Sequence, residues 1–266
     1  MINVNHEEIQ ELFTRIGGLL LDNYSQRQAP ADREEMFVRF MEANNWAEQA
    51  IKSALAERYP SVKSSDAELD LDKQKSPEFS GAYWVLDAVD GGVHLHQGFA
   101  FWSMSLCLIE DGEAVYGLVY DPYRKECFHA VRGGGAFLNG KSISAARKSR
   151  VYDSFLATAP PLVIEEDPVN TELTAWGISR LIPEAFAVRM LGSVALQLAY
   201  VACGRIDAYW EFGEQYYDWM AGALIVQEAH GGEVTDIHGR AFTWGCSGII
   251  AANEPLRQEM QAHLKR

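Results

Sequence analysis

The sequence predicts a layered α/β protein, with an antiparallel α+β N-terminal half and an alternating α/β C-terminal half. Three observations carry this. Two helical periodicities fill the first sixty residues, five short strands joined by turn residues follow, and strands alternate with helices after residue 150.

Ile9, Leu12, Phe13, Ile16, Leu19 and Leu20 recur at helical spacing, and Gly17-Gly18 is the weak point of that segment. The polar stretch Ser25 to Glu34 separates it from a second periodic set, Trp46, Ala50, Ile51, Ala54 and Leu55. That helix stops before Pro60, because the residue preceding a proline is pushed out of the helical region. Ser61 to Ser80 is polar, charged and poor in large apolar groups, which predicts a mobile loop. Strands are expected at Ala82 to Leu86, Phe101 to Ile109, Ala114 to Tyr120, Cys127 to Val131 and Ala136 to Leu138. Asp111-Gly112 and Asn139-Gly140 supply hairpin turns.

In the second half, Phe155 to Thr158 reads as a strand and Glu172 to Ile182 as a helix. Ser193 can cap a helix through Val201 that Gly204 closes. Ile206 to Trp210 is an expected strand. Asp218 opens an apolar helix that Gly231-Gly232 ends, and Val234 to Asp236 and Gly248 to Ala252 add strand. The chain therefore divides into residues 1–150 and 151–266, two halves sharing one core.

The formal charge of −14, from 37 acidic against 23 basic residues, would repel a nucleic-acid backbone, which excludes nonspecific DNA or RNA binding. A small phosphorylated metabolite would be repelled as well unless a cation neutralised its site. Cys107, Cys127, Cys203 and Cys246 form no CxxC pair, so zinc-ribbon and thioredoxin readings lack their residues. Cys107 and Cys203 sit among apolar neighbours and are expected as buried thiols. No leader-like pattern opens the chain and no apolar run reaches membrane-spanning length, so the expected setting is the cytoplasm, away from membranes.

The acidic residues carry the chemistry. Asp87 and Asp90 follow the apolar strand Trp84-Val85-Leu86 and precede Gly91-Gly92. Two carboxylates three positions apart on a turn can converge, and the Val89 carbonyl can join them around a hard cation such as Mg²⁺. An Asx turn with solvated aspartates is the alternative for this segment alone. The Gly91 and Gly92 amides can approach a phosphate oxygen without side-chain hindrance. Asp218 reads first as a helix N-cap. Because the helix behind it is apolar, it would be held firmly and could face a cation at the same time.

At these residues the chain resembles the inositol monophosphatase family. Trp84-Val85-Leu86-Asp87-Ala88-Val89-Asp90-Gly91-Gly92 is similar to its W-[IV]-[IL]-D-P-[IL]-D-G-T motif, and Tyr217-Asp218-Trp219-Met220-Ala221-Gly222 to its W-D-x-A-A-G motif. Gly134 to Gly140, Gly192 to Leu196 and Gly204 to Glu211 match further segments in order, so the likeness spans nearly the whole chain. The resemblance implies an αβαβα sandwich, usually a homodimer, that hydrolyses a phosphate monoester with Mg²⁺. It makes Asp87, Asp90 and Asp218 the catalytic carboxylates and Asp87, the Val89 carbonyl, Asp90 and Asp218 metal ligands. Gly91, Gly92, Gly192 and Ser193 would line the substrate pocket, and Glu211 would meet a substrate hydroxyl.

Three positions depart from the pattern. The motif's threonine is Gly92, its metal-binding glutamate falls on Ala67, and an aspartate preceding that glutamate falls on Asn44. Glu68 or Asp66 could replace the lost glutamate through a one-residue slip, whereas nothing comparable replaces the hydroxyl. One metal site and slow or lost hydrolysis are therefore expected. The alternatives are a phosphatase-fold binding or regulatory protein without turnover, and a 3′,5′-bisphosphate nucleotidase or sugar bisphosphatase.

Two other motifs are set aside. Gly135 to Ser142 matches a P-loop, but its apolar interior and Asn139-Gly140 favour a hairpin over a strand-to-helix phosphate cradle. His94 and His96 lack a third ligand at metal-binding spacing and are expected at the pocket rim or in solvent.

Overall fold

The computed structural model describes residues 2–25, 27–68, 70–161 and 164–265. Helix α1 (His6–Tyr24) opens with the Asn5 side chain accepting from the Glu8 amide, and buries Ile9, Leu12, Phe13, Ile16 and Leu20. It runs unbroken through Gly17-Gly18. A Cβ at Gly17 would stand 2.8 Å from Pro122 Cγ, so close approach to the neighbouring loop, and not a helix end, explains that glycine. Helix α2 (Arg33–Arg58) starts well before the apolar periodicity that revealed it, because Asp32 accepts from the Glu35 amide at 2.8 Å and caps it. It ends at Arg58, as Pro60 requires.

The expectation of a mobile loop over Ser61 to Ser80 needs correction. Strand β1 (Lys63–Ser64) pairs in parallel with β2 (Tyr83–Asp90), Ala67 is fully buried, and Gln74 is tied into the core. The buried polar side chains here, Ser65 and Gln74, satisfy backbone groups, while Asp66, Asp72, Lys73 and Lys75 remain exposed. Helix α3 (Gly92–His96) follows, and then the strands β3 (Ser103–Glu110), β4 (Glu113–Asp121), β5 (Glu126–Val131), β6 (Gly135–Leu138) and β7 (Lys141–Ser142). Together β1 to β7 form a seven-stranded sheet in sequence order, antiparallel apart from its first pair. Asp111 and Gly112 both take positive φ, as do Asn139 and Gly140, which are the tight hairpin turns expected. The P-loop lookalike is the β6–β7 hairpin.

The second half adds β8 (Phe155–Thr158), α4 (Pro168–Leu181), β9 (Ala187–Met190), α5 (Val194–Ala202), β10 (Ala208–Phe212), α6 (Tyr216–Glu228), β11 (Glu233–Thr235), β12 (Gly248–Ala252) and α7 (Glu254–His263). Its five strands lie in the order β11-β12-β10-β8-β9. Short α3, two-residue β1 and β7, edge strand β9 and α7 have no counterpart among the sequence expectations.

Alternation along the strands sets the layers. Trp84, Leu86, Leu106 and Leu118 point toward α1 and α2, whereas Tyr83, Val85, Cys107 and Val119 point toward α5 and α6. Tyr209, Ile249 and Ala251 of the second sheet close on the same two helices. Trp210, Ile250 and Ala252 face outward onto α4 and α7. The result is an αβαβα sandwich in which α5 and α6 lie buried between two sheets. Among the described residues no helix is long and apolar enough to cross a membrane.

Candidate active site

Asp87 and Asp90 lie within the end of β2 and not beyond it. Asp87 pairs with Ser105 and Asp90 with Ser103, so β2 advances three residues while β3 advances two. Residues three apart on a regular strand point to opposite faces, and one bulged residue returns the second to the side of the first. The turn comes at Gly91, whose φ of 84° suits a residue without Cβ. A Cβ there would also stand 3.0 Å from the Ser193 amide, so Gly91 lets the turn close against the start of α5.

Asp90 is held by that helix start. Its carboxylate accepts from Ser193 Oγ at 2.6 Å, from the Val194 amide at 3.1 Å and from the Ala195 amide at 2.8 Å. Ser193 is at once the N-cap of α5, accepting from the Leu196 amide at 3.1 Å, and a neighbour of Ser103 Oγ at 2.8 Å. Its hydroxyl is therefore engaged in positioning Asp90. Burial pushes the Asp90 carboxyl up to about 6, against the pull of these donors. Asp87 accepts from the Val89 amide at 3.1 Å, which is the Asx turn foreseen as an alternative. Unlike that alternative, Asp87 is buried, and desolvation with the charges of Asp90, Glu68 and Asp218 holds its carboxyl well above the usual range.

Asp218 sits in the first turn of α6. Gln215 is the residue before that helix and makes no side-chain cap, so Asp218 is not the N-cap the sequence suggested. Burial raises its carboxyl strongly, with Asp90, Glu211 and Glu68 adding repulsion. Glu211 on β10 is buried and accepts at 2.6 Å from both Tyr209 Oη and Trp219 Nε1; burial nevertheless pushes it up to about 8.

Between the two acids that could replace the missing glutamate, the fold chooses Glu68. Asp66 points outward and pairs with Lys52 at 2.6 Å. Glu68 faces Asn44, whose Nδ2 donates at 3.3 and 3.4 Å to its two oxygens, and burial raises its carboxyl to about 7. Its loop is stitched in place: Gln74 Nε2 donates to the Ala67 and Glu68 carbonyls at 2.9 and 2.8 Å, and Gln74 Oε1 accepts from the Tyr217 amide at 3.1 Å. Ser65 Oγ meets Tyr217 Oη and Glu78. That seam ties the Glu68 loop to the residue before Asp218. Sequence reasoning missed Gln74 and Ser103, which belong to no local motif, and gave no role to Tyr217, which opens the motif that carries Asp218.

Two of the three expected substrate-side glycines, Gly92 and Gly192, are covered by a ring, whereas Gly91 meets the Ser193 backbone. A Cβ at Gly92 would stand 2.7 Å from Phe40 Cε2 and closer still to Cδ2, and one at Gly192 would stand 2.8 Å from His94 Cγ. His94 Nδ1 lies 2.8 Å from the Phe101 carbonyl. His96 is buried against the Tyr24 ring, away from the solvent position expected for it.

Glu68, Asp87, Asp90 and Asp218 thus lie within electrostatic reach of one another, each raised by burial and most also by its neighbours' charge. Among the described residues no three acidic, imidazole or thiol side chains converge closely enough to ligate an ion as they stand, since Asp90 is turned onto α5. The donor chemistry nonetheless fits a hard divalent cation: four carboxylates and a backbone carbonyl, all oxygen, whose mutual repulsion a positive charge would relieve.

Fold and site together define an αβαβα protein with a buried acidic centre between its two sheets. The chain belongs to the inositol monophosphatase family, whose model it matches over residues 5–266. It is 34% identical to the Nus factor SuhB of Pseudomonas aeruginosa, across 84% of this chain and 83% of that one. It is 32% identical to the inositol-1-monophosphatase of Mesorhizobium japonicum, across 69% and 67%. Among solved structures, the extragenic suppressor protein suhB from Bartonella henselae superimposes with a TM-score of 0.81 at 28% identity, covering 98% of each chain.

Proposed function

We propose that this protein is a Mg²⁺-dependent phosphomonoesterase acting on a small phosphorylated alcohol, with turnover below that of a complete catalytic set. The observation that carries the reading is the gathering of buried Asp87 and Asp90 with half-buried Asp218 and Glu68, carboxylates most of which repel one another and which have no cationic side chain among the main causes of their shifts, apart from Lys52 near Glu68. These four and the Val89 carbonyl would hold Mg²⁺. A bound divalent cation polarises the phosphate and makes a water more acidic. The chain's own residues do the rest. Ser193, Ser103 and the first amides of α5 fix Asp90, and Gln74 fixes the loop that delivers Glu68. The Gly91 amide can meet a phosphate oxygen, and Glu211, held by Tyr209 and Trp219, can orient a substrate hydroxyl. Gly92 brings no hydroxyl to assist the attacking water, and a positioned proton-transfer group is typically worth about 10²–10⁴ in rate. The resemblance also implies a homodimer, and four free thiols suit a reducing compartment such as the cytoplasm.

Phosphate release from inositol monophosphate, adenosine 3′,5′-bisphosphate and fructose bisphosphate, with and without Mg²⁺, tests this and chooses among the substrate classes. Slow, Mg²⁺-dependent release that disappears in Asp218→Asn supports it. Release that ignores both Mg²⁺ and Asp218→Asn sinks it. The second reading, a binding or regulatory protein without turnover, draws on the missing hydroxyl at Gly92 and on the relatives named Nus factor SuhB. It is favoured if the protein takes up Mg²⁺ but releases phosphate from none of the three.

A further inference from the structure

His94 stands on α3, at the seam between the two halves of the chain. Its amide donates to the Gly91 carbonyl at 2.8 Å and its carbonyl accepts from the Phe99 amide at 2.8 Å, so the main chain is pinned on both sides. Nδ1 lies 2.8 Å from the Phe101 carbonyl. A carbonyl only accepts, so Nδ1 carries the hydrogen, and in the neutral ring Nε2 is left as an acceptor. Among the described residues no group hydrogen-bonds to Nε2. The Phe99 ring lies against the imidazole with centroids 5.4 Å apart, and the Phe101 ring meets it edge-on at 6.3 Å. The imidazole also covers Gly192, where a Cβ would stand 2.8 Å from Cγ and closer still to Nδ1 and Cε1. Gly192 is bonded to Ser193, whose hydroxyl holds buried Asp90, so the half-exposed ring stands beside the turn that carries this carboxylate.

We propose that His94 determines which alcohol the site accepts: its ring covers the Gly192 wall and its Nε2 takes a hydrogen bond from a substrate hydroxyl, so that a short acyclic alcohol phosphate is preferred over a six-membered polyol ring. This rests on the reading of the site as one for a phosphorylated alcohol. The physical reasons are space and hydrogen bonding. An aromatic face keeps other atoms about 3.5 Å away, so a substrate beside the Gly91 turn meets an imidazole where bare glycine would leave room. The ring cannot withdraw from Gly192 without giving up the Phe101 carbonyl. Nε2, whose ring partner nitrogen is already engaged, is an acceptor of fixed direction that a hydroxyl of the substrate can satisfy. His94 is a specificity-determining residue and carries no step of the hydrolysis.

The test compares glycerol 2-phosphate with inositol monophosphate as substrates of wild type, His94→Ala and His94→Phe in Mg²⁺, reading kcat and KM for each ester. His94→Asn, which can still donate to the Phe101 carbonyl, replaces the alanine variant should that one not fold. Wild type should favour the glycerol ester. Removing the ring in His94→Ala should shift the preference in kcat/KM toward the inositol ester by about tenfold or more, chiefly through KM. His94→Phe keeps the ring and loses the acceptor, so the preference should stay while KM rises for both esters. A wild type that favours the inositol ester, or a ratio unchanged in His94→Ala, overturns the proposal and leaves the phosphatase reading standing. An unchanged KM in His94→Phe overturns the hydrogen bond to Nε2. If neither ester is hydrolysed, the phosphatase reading fails, and the affinities of the same two esters by calorimetry in Mg²⁺ decide the selection in its place. Binding of neither ester overturns the proposal as well.

Discussion

Two regions of the first sheet bury titratable groups, and they do so to opposite ends. At the mouth of β2, four carboxylates are pressed together, and burial with mutual repulsion raises them. At β5, His129 stacks between His6, with ring centroids 3.5 Å apart, and Phe137, at 5.2 Å. Burial lowers the His129 imidazole to about 4, and His6 falls as well. Both clusters are pushed toward neutrality, so a shifted pKa alone does not mark a site. The imidazoles become neutral by losing a proton they hold weakly at pH 7, and the stack then needs no counter-charge, although His129 Nδ1 stays buried without a hydrogen-bond partner among the described residues. The carboxylates become neutral only by taking up protons, whereas a cation relieves their mutual repulsion and leaves them ionised. One cluster settles its charge by itself, and the other calls for a cation.

The largest expected effect breaks the acidic side of this contrast. In wild type, Mg²⁺ at a hundred times its dissociation constant should raise the thermal midpoint by about 5–10 °C. Asp87→Asn should abolish that rise, yet its metal-free form should melt above metal-free wild type, because one of the mutually repelling charges is gone. Scanning calorimetry with and without Mg²⁺ checks both signs. A metal-free Asp87→Asn protein that melts lower would mean the cluster is stabilising as it stands.

A smaller effect is expected from the seam that delivers Glu68. Gln74→Ala removes the side-chain partner of the Glu68 carbonyl and the Tyr217 amide, while the Ala67 carbonyl keeps the Asp70 amide at 3.1 Å, a loss of about 1–3 kcal/mol. Amide exchange over residues 65–68 should accelerate while the His129 strand stays protected. Equal acceleration at β5 would show that the two regions are not independent.

The smallest effect concerns the imidazoles. His129 is neutral in the fold down to about 4, but in the unfolded chain it takes a proton near its ordinary value of 6.5. Its contribution to stability is therefore complete above pH 6.5 and is lost as the pH falls from there to about 4. His129→Phe should flatten part of the midpoint's decline across that window and leave the Mg²⁺ response untouched. An unchanged pH profile would assign the acid sensitivity to other groups.

Much of this was legible in the chain. The strand-then-alternation pattern gave the layers, Asp111-Gly112 and Asn139-Gly140 gave two hairpins, and Ser193 marked the start of α5. Asp87, Asp90 and Asp218 could be singled out because each sits at the edge of an apolar element. These are short-range matters, in which neighbouring residues set φ, ψ and side-chain direction, and a local pattern reports them. What tertiary structure alone decided was which groups meet. It chose Glu68 over Asp66, tied Gln74 to Tyr217 across more than a hundred residues, turned Ser193 onto Asp90, and laid the Phe40 ring on Gly92. Such contacts depend on the register of a helix against a sheet and on the room left between layers. Those are properties of the packed whole, and no stretch of sequence carries them by itself.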